Sequence, residues 1–276
     1  SLKEFFSDTI SSKSDLQDCT KIPILGLIGH SKKEKSLVVT IASKSIIAES
    51  FRTLRTNIQY LAAHKDNKII TITSSIGSEG KTFVAMNLAG IFALSGHKTI
   101  LIGGDLRKPK LHKDFNVNES KGLSSYLIHK SSLEEVIEKT KIESLDVIGS
   151  GPTPPNPAEL LDSQSMQELI TKLNKTYDYI IIDTPPIGLV TDGAILMRYA
   201  DISLYVVRHN YTKRNMLGAM NNLFDQNHIK NMHIIINDFQ QNQSIYGDGY
   251  NYGYGYGYGY GYGSDGYGYY EEEKKS

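Results

Sequence analysis

The chain has 276 residues, of which 39% are hydrophobic, and this suits one α/β domain with appended segments rather than two full domains. Its 30 lysine and arginine residues balance 30 aspartate and glutamate residues, so bulk charge indicates no nucleic-acid partner. The single cysteine, Cys19, excludes an intramolecular disulfide framework, and no stretch reaches the roughly 20 apolar residues that span a bilayer.

Residues 1–36 are polar and lysine-rich apart from a short apolar stretch at 22–29, and they are predicted to be a lead-in. Helices and strands then alternate along the chain to residue 240. Apolar residues at helical spacing predict helices over 45–63, 81–96, 123–140, 158–177 and 213–227. Apolar and β-branched runs predict strands within 68–75, 98–104, 145–151, 178–186, 202–208 and 232–238. This alternation predicts an α/β fold with a mainly parallel sheet and helices on both faces.

A glycine-rich turn separates the first of these strands from the helix at 81–96, where a phosphate-binding loop belongs. Its end, "GKT", matches a Walker A motif, although Ser75 stands in place of the first glycine, and a chance match is the alternative. Lys81 would neutralise β- and γ-phosphate oxygens, and the Thr82 hydroxyl would ligate Mg²⁺. The ATP-binding residues predicted in this loop are Gly77, Ser78, Glu79, Gly80, Lys81, Thr82 and Phe83.

A second acidic element supports a nucleotide site. Asp183 ends the apolar strand within 178–186, which is the position of a Walker B carboxylate that holds Mg²⁺. The alternative is an ordinary strand-end aspartate that caps the next loop. Because both motifs lie on strands flanked by helices and in the right order, they favour an ATP site.

The segment "GGDLRKP" at 103–109 resembles the Walker A′ motif of the bacterial tyrosine kinases (BY-kinases), which control capsule and exopolysaccharide export. Asp105 and Arg107 match the second half of that motif, and Gly103 stands where the family usually has its first aspartate. These kinases share the deviant P-loop fold of the partitioning ATPases. Further segments that resemble the family are "ESFRTLRTN" (49–57), "GPTPPNPAELL" (151–161), "DTPPIGLVTDG" (183–193) and the tyrosine-rich C-terminus.

The resemblance implies an ATP-dependent tyrosine autokinase with ATP and Mg²⁺ as cofactors. It makes Lys81, Asp105 and Asp183 the catalytic residues, and Thr82, Asp105 and Asp183 the metal ligands. Asn237 resembles the asparagine that reads the adenine edge, although a strand-end asparagine that starts a turn is the alternative. Because Gly103 replaces the first aspartate of the motif, three interpretations are open. Asp105 or Asp183 would take its place, or this branch of the family handles the proton of the acceptor tyrosine differently, or the kinase is impaired.

The tail at 241–276, predicted to be disordered, carries 11 of the 18 tyrosines, many in a Tyr-Gly repeat. Glycine between the tyrosines removes steric constraint, so the tail suits a substrate with many acceptor sites. The alternative is an adhesive low-complexity tail. The predicted phosphoacceptors are Tyr246, Tyr250, Tyr252, Tyr254, Tyr256, Tyr258, Tyr260, Tyr262, Tyr267, Tyr269 and Tyr270.

Glu49, Arg52 and Arg55 fall three residues apart on one face of the helix at 45–63. Salt bridges on a solvated face are one interpretation. The resemblance implies instead that they form the subunit contact of a homo-oligomeric ring of eight, with phosphorylation in trans and loosening of the ring by phosphate charge. It also implies a place on the cytoplasmic face of the bacterial inner membrane, a transmembrane co-polymerase or activator segment fused upstream, and a cognate tyrosine phosphatase.

Two other classes of function stay open. A partitioning-type ATPase, whose nucleotide state switches its assembly, usually carries a lysine early in the P-loop, and 74–79 contains none. A catalytically impaired scaffold that binds ATP is compatible with Gly103. The domain organisation predicted is a lead-in at 1–36, a kinase domain at 37–240 and the tail at 241–276.

Overall fold

The computed structural model of the chain describes residues 8–30, 37–63, 68–111, 115, 117–226, 229 and 231–240. The strands in this part of the chain are β1 (Ile24–Gly29), β2 (Lys68–Ser74), β3 (Thr99–Gly103), β4 (Glu138–Lys139), β5 (Leu145–Ile148), β6 (Tyr179–Asp183), β7 (Ile202–Arg208) and β8 (Met232–Phe239). They form one sheet in the order β1-β8-β7-β2-β6-β3-β5-β4. Neighbouring strands are parallel except β4, which pairs antiparallel with β5.

Helices cover the sheet and connect its strands. Their bounds are α1 (Lys13–Cys19), α2 (Val38–Ile41), α3 (Ile46–Leu61), α4 (Lys81–Leu94), α5 (Leu123–Leu127), α6 (Leu133–Val136), α7 (Pro157–Leu161), α8 (Gln164–Leu173), α9 (Asp192–Met197) and α10 (Gly218–Asp225). A 3₁₀ turn at Arg214–Leu217 leads into α10.

The sheet is buried on both faces. Along β6, Ile181 packs into the core that also contains Phe51 of α3 and Phe92 of α4. Its neighbours Ile180 and Ile182 belong to the core on the opposite face, together with apolar residues of α5, α7 and α8. Successive strand residues point to opposite faces, so a strand covered by helices on both sides must be apolar at every position. The predicted mainly parallel sheet flanked by helices is confirmed.

The register of the central strands brings three strand ends together. Asp183, the last residue of β6, is paired with Ile72 of β2 on one side and with Gly103 of β3 on the other. The loops that follow these strands therefore leave the sheet at one edge. In open α/β sheets, ligands bind at the carboxyl ends of the strands, so this edge is where a site is expected.

The predicted helix over 123–140 is wrong, because this stretch contains α5, α6 and strand β4 instead. His129, which follows α5, has a φ of 59°, a left-handed conformation that ends the helix. The Ser132 hydroxyl then accepts a hydrogen bond from the Glu135 N–H, and the Glu135 carboxylate accepts one from the Ser132 N–H. This capping box starts a second helix inside a stretch whose apolar spacing predicts a single continuous helix. In the same way Ser163 caps α8 and divides the helix predicted over 158–177.

Strand β1 lies within the predicted lead-in at 1–36 and pairs with β8 at the edge of the sheet. No helix in the described part of the chain combines the length and apolar character needed to cross a membrane. The tail at 241–276, with all eleven predicted phosphoacceptor tyrosines, lies outside the described residues.

Candidate active site

The loop between β2 and α4 is shaped by two residues with a left-handed backbone conformation. Gly80 has a φ of 95° and Ser78 a φ of 67°, both in the left-handed region. A Cβ atom at Gly80 would lie 2.1 Å from Nδ2 of Asn237, at the end of β8. The same Nδ2 donates a hydrogen bond to the Glu79 carbonyl at 2.9 Å. Only glycine fits at position 80, because both the backbone angle and the space exclude a side chain.

The side chain of Glu79 is buried and holds this loop from inside the protein. Its carboxylate accepts a hydrogen bond from the Ile76 N–H at 2.8 Å and another from the Thr212 hydroxyl. Burial raises the pKa of the Glu79 carboxyl, and the two hydrogen bonds oppose that rise. The sequence predicts Glu79 as an ATP-binding residue. In the structure its backbone belongs to the loop, and its carboxylate fixes the shape of the loop.

Lys81 and Thr82 begin α4, and each lies beside a carboxylate from a neighbouring strand end. The Thr82 hydroxyl donates to Oδ2 of Asp183 at 2.7 Å. The Lys81 ammonium lies 3.8 Å from Oδ2 of Asp105, and both side chains are nearly buried. Burial raises the pKa of Asp183 to about 6, while the charge of Lys81 acts to lower it. Oδ1 of Asp183 is buried and has no hydrogen-bond partner among the described residues. The structure thus brings together the four residues that the sequence predicts for catalysis and metal binding.

Asp105 is fixed by the turn that follows β3. Its Oδ1 accepts hydrogen bonds from the backbone N–H groups of Arg107 at 3.3 Å and Lys108 at 2.9 Å. The Arg107 guanidinium makes two hydrogen bonds to Asp192, at 2.7 and 3.0 Å, and Asp192 is buried at the start of α9. A bidentate pair of this kind fixes orientation as well as distance. The Asp105 turn and the start of α9 are therefore tied together.

Gly103 is enclosed by its neighbours. A Cβ atom at this position would lie 2.7 Å from the Ser150 hydroxyl oxygen and 3.2 Å from Cδ1 of Leu111. The Ser150 hydroxyl donates to the Gly103 carbonyl at 2.9 Å. An aspartate at position 103 would require these side chains to shift. Asp105 is accordingly the carboxylate that this loop presents to Lys81.

Two residues at and just after the end of β7 support the phosphate-binding loop. Arg208 donates to the Ser78 carbonyl at 2.9 Å and is held by Asp238 at the same distance. The Tyr211 hydroxyl donates to the Gly77 carbonyl at 3.2 Å. Sequence reasoning missed Arg208, Tyr211, Thr212 and Asp192, because each acts through a contact distant in sequence and none belongs to a phosphate-loop motif. For Arg208, Tyr211 and Thr212, the available signal was a position at or shortly after the end of a predicted strand.

The remaining predicted residues lie elsewhere. The Phe83 ring packs edge-on against Phe51, with centroids 5.9 Å apart, so its side chain faces the core rather than the loop. Glu49, Arg52 and Arg55 lie on α3, outside the loops that form the site. Arg52 makes an ion pair with Glu49. Nε of Arg55 is buried and has no hydrogen-bond partner within the described ranges.

Comparison with known proteins identifies the family. The family model described as "AAA domain" matches residues 67–237. Over 184 residues the chain is 42% identical to the tyrosine-protein kinase YwqD of Bacillus subtilis, covering 67% of this chain and 78% of the relative. The chain belongs to the bacterial tyrosine-protein kinases. This confirms the resemblance and the enzyme class that the sequence predicts.

Two further proteins show how much of this kinase resembles known proteins. The tyrosine-protein kinase ptk of Acinetobacter johnsonii is 34% identical over 257 residues, covering 89% of this kinase and 35% of the relative. The kinase therefore spans about a third of the length of that relative. The solved kinase domain of Escherichia coli tyrosine kinase ETK is 31% identical with a TM-score of 0.76, covering 84% of this kinase and 95% of that domain.

Proposed function

We propose that this kinase transfers the γ-phosphoryl group of ATP to tyrosines of its own C-terminal tail, in trans within a ring of eight subunits. The observation that carries the proposal is the grouping of Lys81, Thr82, Asp105 and Asp183 at one edge of the sheet. A cation and a hydroxyl at the start of a helix, with two carboxylates beside them, are the groups that phosphoryl transfer from a nucleotide needs.

The residues present fit a magnesium ion. Mg²⁺ prefers oxygen ligands, and the site offers the Thr82 hydroxyl and the carboxylates of Asp105 and Asp183. Oδ1 of Asp183 is a buried acceptor without a partner among the described residues, and such an atom normally costs free energy unless something binds it. When bound, Mg²⁺ neutralises charge on the phosphate oxygens of ATP.

The residues of the chain have distinct parts in the reaction. Backbone N–H groups at the start of α4 bind the β-phosphate, and Lys81 neutralises the β- and γ-phosphate oxygens. The phenolic oxygen of tyrosine forms a bond to the γ-phosphorus, while the bond from that phosphorus to the β–γ bridging oxygen breaks and ADP leaves. The phenolic proton passes to the carboxylate of Asp105, because Oδ2 of Asp183 already accepts the hydrogen bond of the Thr82 hydroxyl.

A second candidate function is an ATP-binding scaffold with little or no transfer activity. Gly103 favours it, since the chain offers no carboxylate at the strand position paired with Asp183. Incubation of the full chain with ATP and Mg²⁺, followed by mass spectrometry of the tail, decides between the two functions. The kinase is expected to give phosphates on several tyrosines of 246–270, in mixed numbers per chain. A chain that binds ATP and stays free of phosphotyrosine would be the scaffold, and phosphate on other tyrosines alone would exclude the tail as acceptor.

The ring is proposed to close through helix α3. Its exposed apolar side chains support an interface: Ile46, Tyr60 and Leu61 are 66%, 78% and 44% exposed. The Glu49–Arg52 ion pair supports the alternative, a salt-bridged solvated face. A head-to-tail contact of this kind gives a closed ring when the rotation between subunits closes.

Alanine at Glu49, Arg52 and Arg55 together is expected to convert the assembled kinase to monomers in sedimentation velocity experiments. The loss follows if these charges contact the neighbouring subunit, because an interface charge left without its partner is costly. The matched control replaces the exposed ion pair of Asp162 and Arg198 with alanine, far from α3 in sequence. An exposed pair is worth at most about 1 kcal/mol, so the control should assemble like the original chain. If the triple variant assembles normally, the subunit contact is excluded, and the three residues only form salt bridges on a solvated helix face.

We further propose that the kinase regulates capsule or exopolysaccharide synthesis and export, on the cytoplasmic face of the bacterial inner membrane. Its partners there would be a transmembrane co-polymerase or activator segment and a cognate tyrosine phosphatase. Family membership supports this setting. We also propose the division into a lead-in at 1–36, a kinase domain at 37–240 and a tail at 241–276. Asn237 is proposed to contact the adenine edge of ATP.

A further inference from the structure

A buried pair of hydroxyl groups lies beneath the start of the phosphate-binding loop. Ser75 directly follows β2 and stands where a Walker A motif has its first glycine. Its hydroxyl oxygen lies 2.7 Å from the phenolic oxygen of Tyr205 in β7, and either group can donate the hydrogen bond. Ser75 is 1% exposed and Tyr205 is fully buried. The proposed reaction gives neither side chain a role.

The sheet and the core fix the position of the Tyr205 hydroxyl. Strand β7 is a neighbour of β2, and Tyr205 is paired with Thr73, two residues before Ser75. The ring of Tyr205 belongs to the apolar core that also contains Val207 and Ile236. Because a close-packed core leaves such a ring little freedom, the phenolic oxygen is a fixed point under the loop. Ser75 is hydrogen-bonded to that point at the place where the chain leaves the strand.

The same part of the chain holds the loop farther along. Three contacts described above come from the end of β7 and the residues just after it, namely from Arg208, Tyr211 and Thr212. They reach the loop at 77–79, whereas the Tyr205 hydroxyl holds its first residue. The segment 205–212 therefore supports the loop from its beginning to the residue before Gly80.

The two hydroxyls depend on each other because both are buried. A buried hydroxyl that loses its partner keeps the cost of leaving water, since water does not replace the lost hydrogen bond. Burial raises the pKa of the Tyr205 phenol, and the Ser75 hydrogen bond opposes that rise, so the phenol keeps its proton at neutral pH. Glycine at position 75 would take this partner away from Tyr205. The serine and the tyrosine are thus a matched pair.

We propose that Tyr205 is a positioning residue of the ATP site, which acts through the Ser75 hydroxyl to hold the phosphate-binding loop in its binding shape. This rests on the proposed function, in which the loop and the start of α4 bind the phosphates of ATP. A loop that is already held in its binding shape loses less conformational entropy when a ligand binds. The pair therefore raises the affinity for ATP without touching it. The serine at the glycine position is a functional part of this loop.

Four variants of the full chain test the proposal: Ser75→Ala, Tyr205→Phe, the two together, and Ser75→Gly. The probe is the β,γ-imido analogue of ATP with Mg²⁺, and its Kd is measured by calorimetry, so the readout does not depend on transfer. We expect each variant to raise the Kd about fivefold, which is what one net hydrogen bond is worth. Ser75→Gly is the sharpest of them, because it restores the Walker A consensus and is nevertheless expected to weaken binding.

Thermal unfolding separates positioning from stability. Each alanine or phenylalanine substitution alone leaves one buried hydroxyl unpaired and should lower the Tm. The double variant lacks both hydroxyls and should recover much of that loss, while its Kd should stay about fivefold raised because the link to the loop is absent. The matched control is Tyr177→Phe, which removes another buried phenol that donates to Asp146 at 2.7 Å, near the amino ends of β5 and β6. It should lower the Tm and leave the Kd unchanged.

A Kd of Tyr205→Phe or Ser75→Gly equal to that of the original chain would overturn the proposal. A double variant whose Kd recovers together with its Tm would also overturn it, since the pair would then be only structural. The double variant decides if a single variant fails to fold. If the original chain does not bind the analogue, the proposed function fails and this inference fails with it. Raised Kd values in a chain that forms no phosphotyrosine would overturn the transfer reaction alone and retain Tyr205 as a positioning residue of an ATP-binding scaffold.

Discussion

Lys81→Met is expected to abolish phosphotyrosine while the fold is retained. Lys81 is buried at the first position of α4, with its ammonium 3.8 Å from Asp105. Methionine has similar length and no charge, so it fills the same space and removes the cation that is proposed to neutralise the phosphate oxygens. Removing one such group from a preorganised site costs about 10²–10³ in kcat. Because the charge of Lys81 acts to lower the pKa of Asp183, the substitution would raise that pKa and weaken the carboxylate as the proposed magnesium ligand.

The measurement is phosphotyrosine per chain by mass spectrometry after incubation with ATP and Mg²⁺, with thermal unfolding to show that the fold persists. Lys98→Met is the matched control, since Lys98 is exposed and precedes β3, at the opposite edge of the sheet. Its phosphorylation should equal that of the original chain. Normal phosphorylation of the Lys81→Met protein would show that this loop is not the ATP site.

Deletion of 246–276 is expected to remove phosphotyrosine and to preserve nucleotide binding. The proposed ligands of ATP and magnesium lie between Gly77 and Asn237, and β8 ends at Phe239, so the cut falls outside them. Each phosphate adds about −1.5 to −2 charges, so several on neighbouring tails repel one another and the ring loosens. The phosphorylated full chain should therefore sediment as monomers or loose assemblies, and phosphatase treatment should restore the ring.

A variant with phenylalanine at all eleven tail tyrosines separates the hydroxyl from the aromatic ring. It keeps the length, the glycines and the apolar character of the tail and lacks acceptors. We expect no phosphotyrosine and a ring that ATP does not dissolve. If the truncated chain stays fully phosphorylated on tyrosine, the tail is not the main acceptor, and the adhesive interpretation of the repeat returns.

Much of the fold could be predicted from the sequence because its determinants are local. The strands β6 and β7 are mostly apolar runs, and the helix α4 begins within the Gly-Lys-Thr sequence. The helix predicted over 123–140 fails where His129 and Ser132 override the apolar spacing. A cap or a left-handed residue acts at one position, whereas periodicity averages over a whole window.

The candidate site divides in the same way. Lys81, Thr82 and Asp183 stand in motifs, so sequence alone predicts them. The pairing of Arg107 with Asp192 and the support of Ser78 by Arg208 join residues far apart in the chain. Such contacts depend on which strands are neighbours and on their register, and no local pattern in a single sequence specifies either. The enclosure of Gly103 by Ser150 is of this second kind.

The hydrogen bonds of Arg208 join the phosphate-binding loop to the end of β8, through the Ser78 carbonyl on one side and the Asp238 carboxylate on the other. A movement of Ser78 on a change of nucleotide state would therefore disturb the hydrogen bonds of Arg208 and, through them, the position of Asp238 in β8. Thermodynamic linkage makes such coupling reciprocal. A ligand that shifts Asp238 would then change the affinity for the nucleotide, and the nucleotide would change the affinity for that ligand by the same factor.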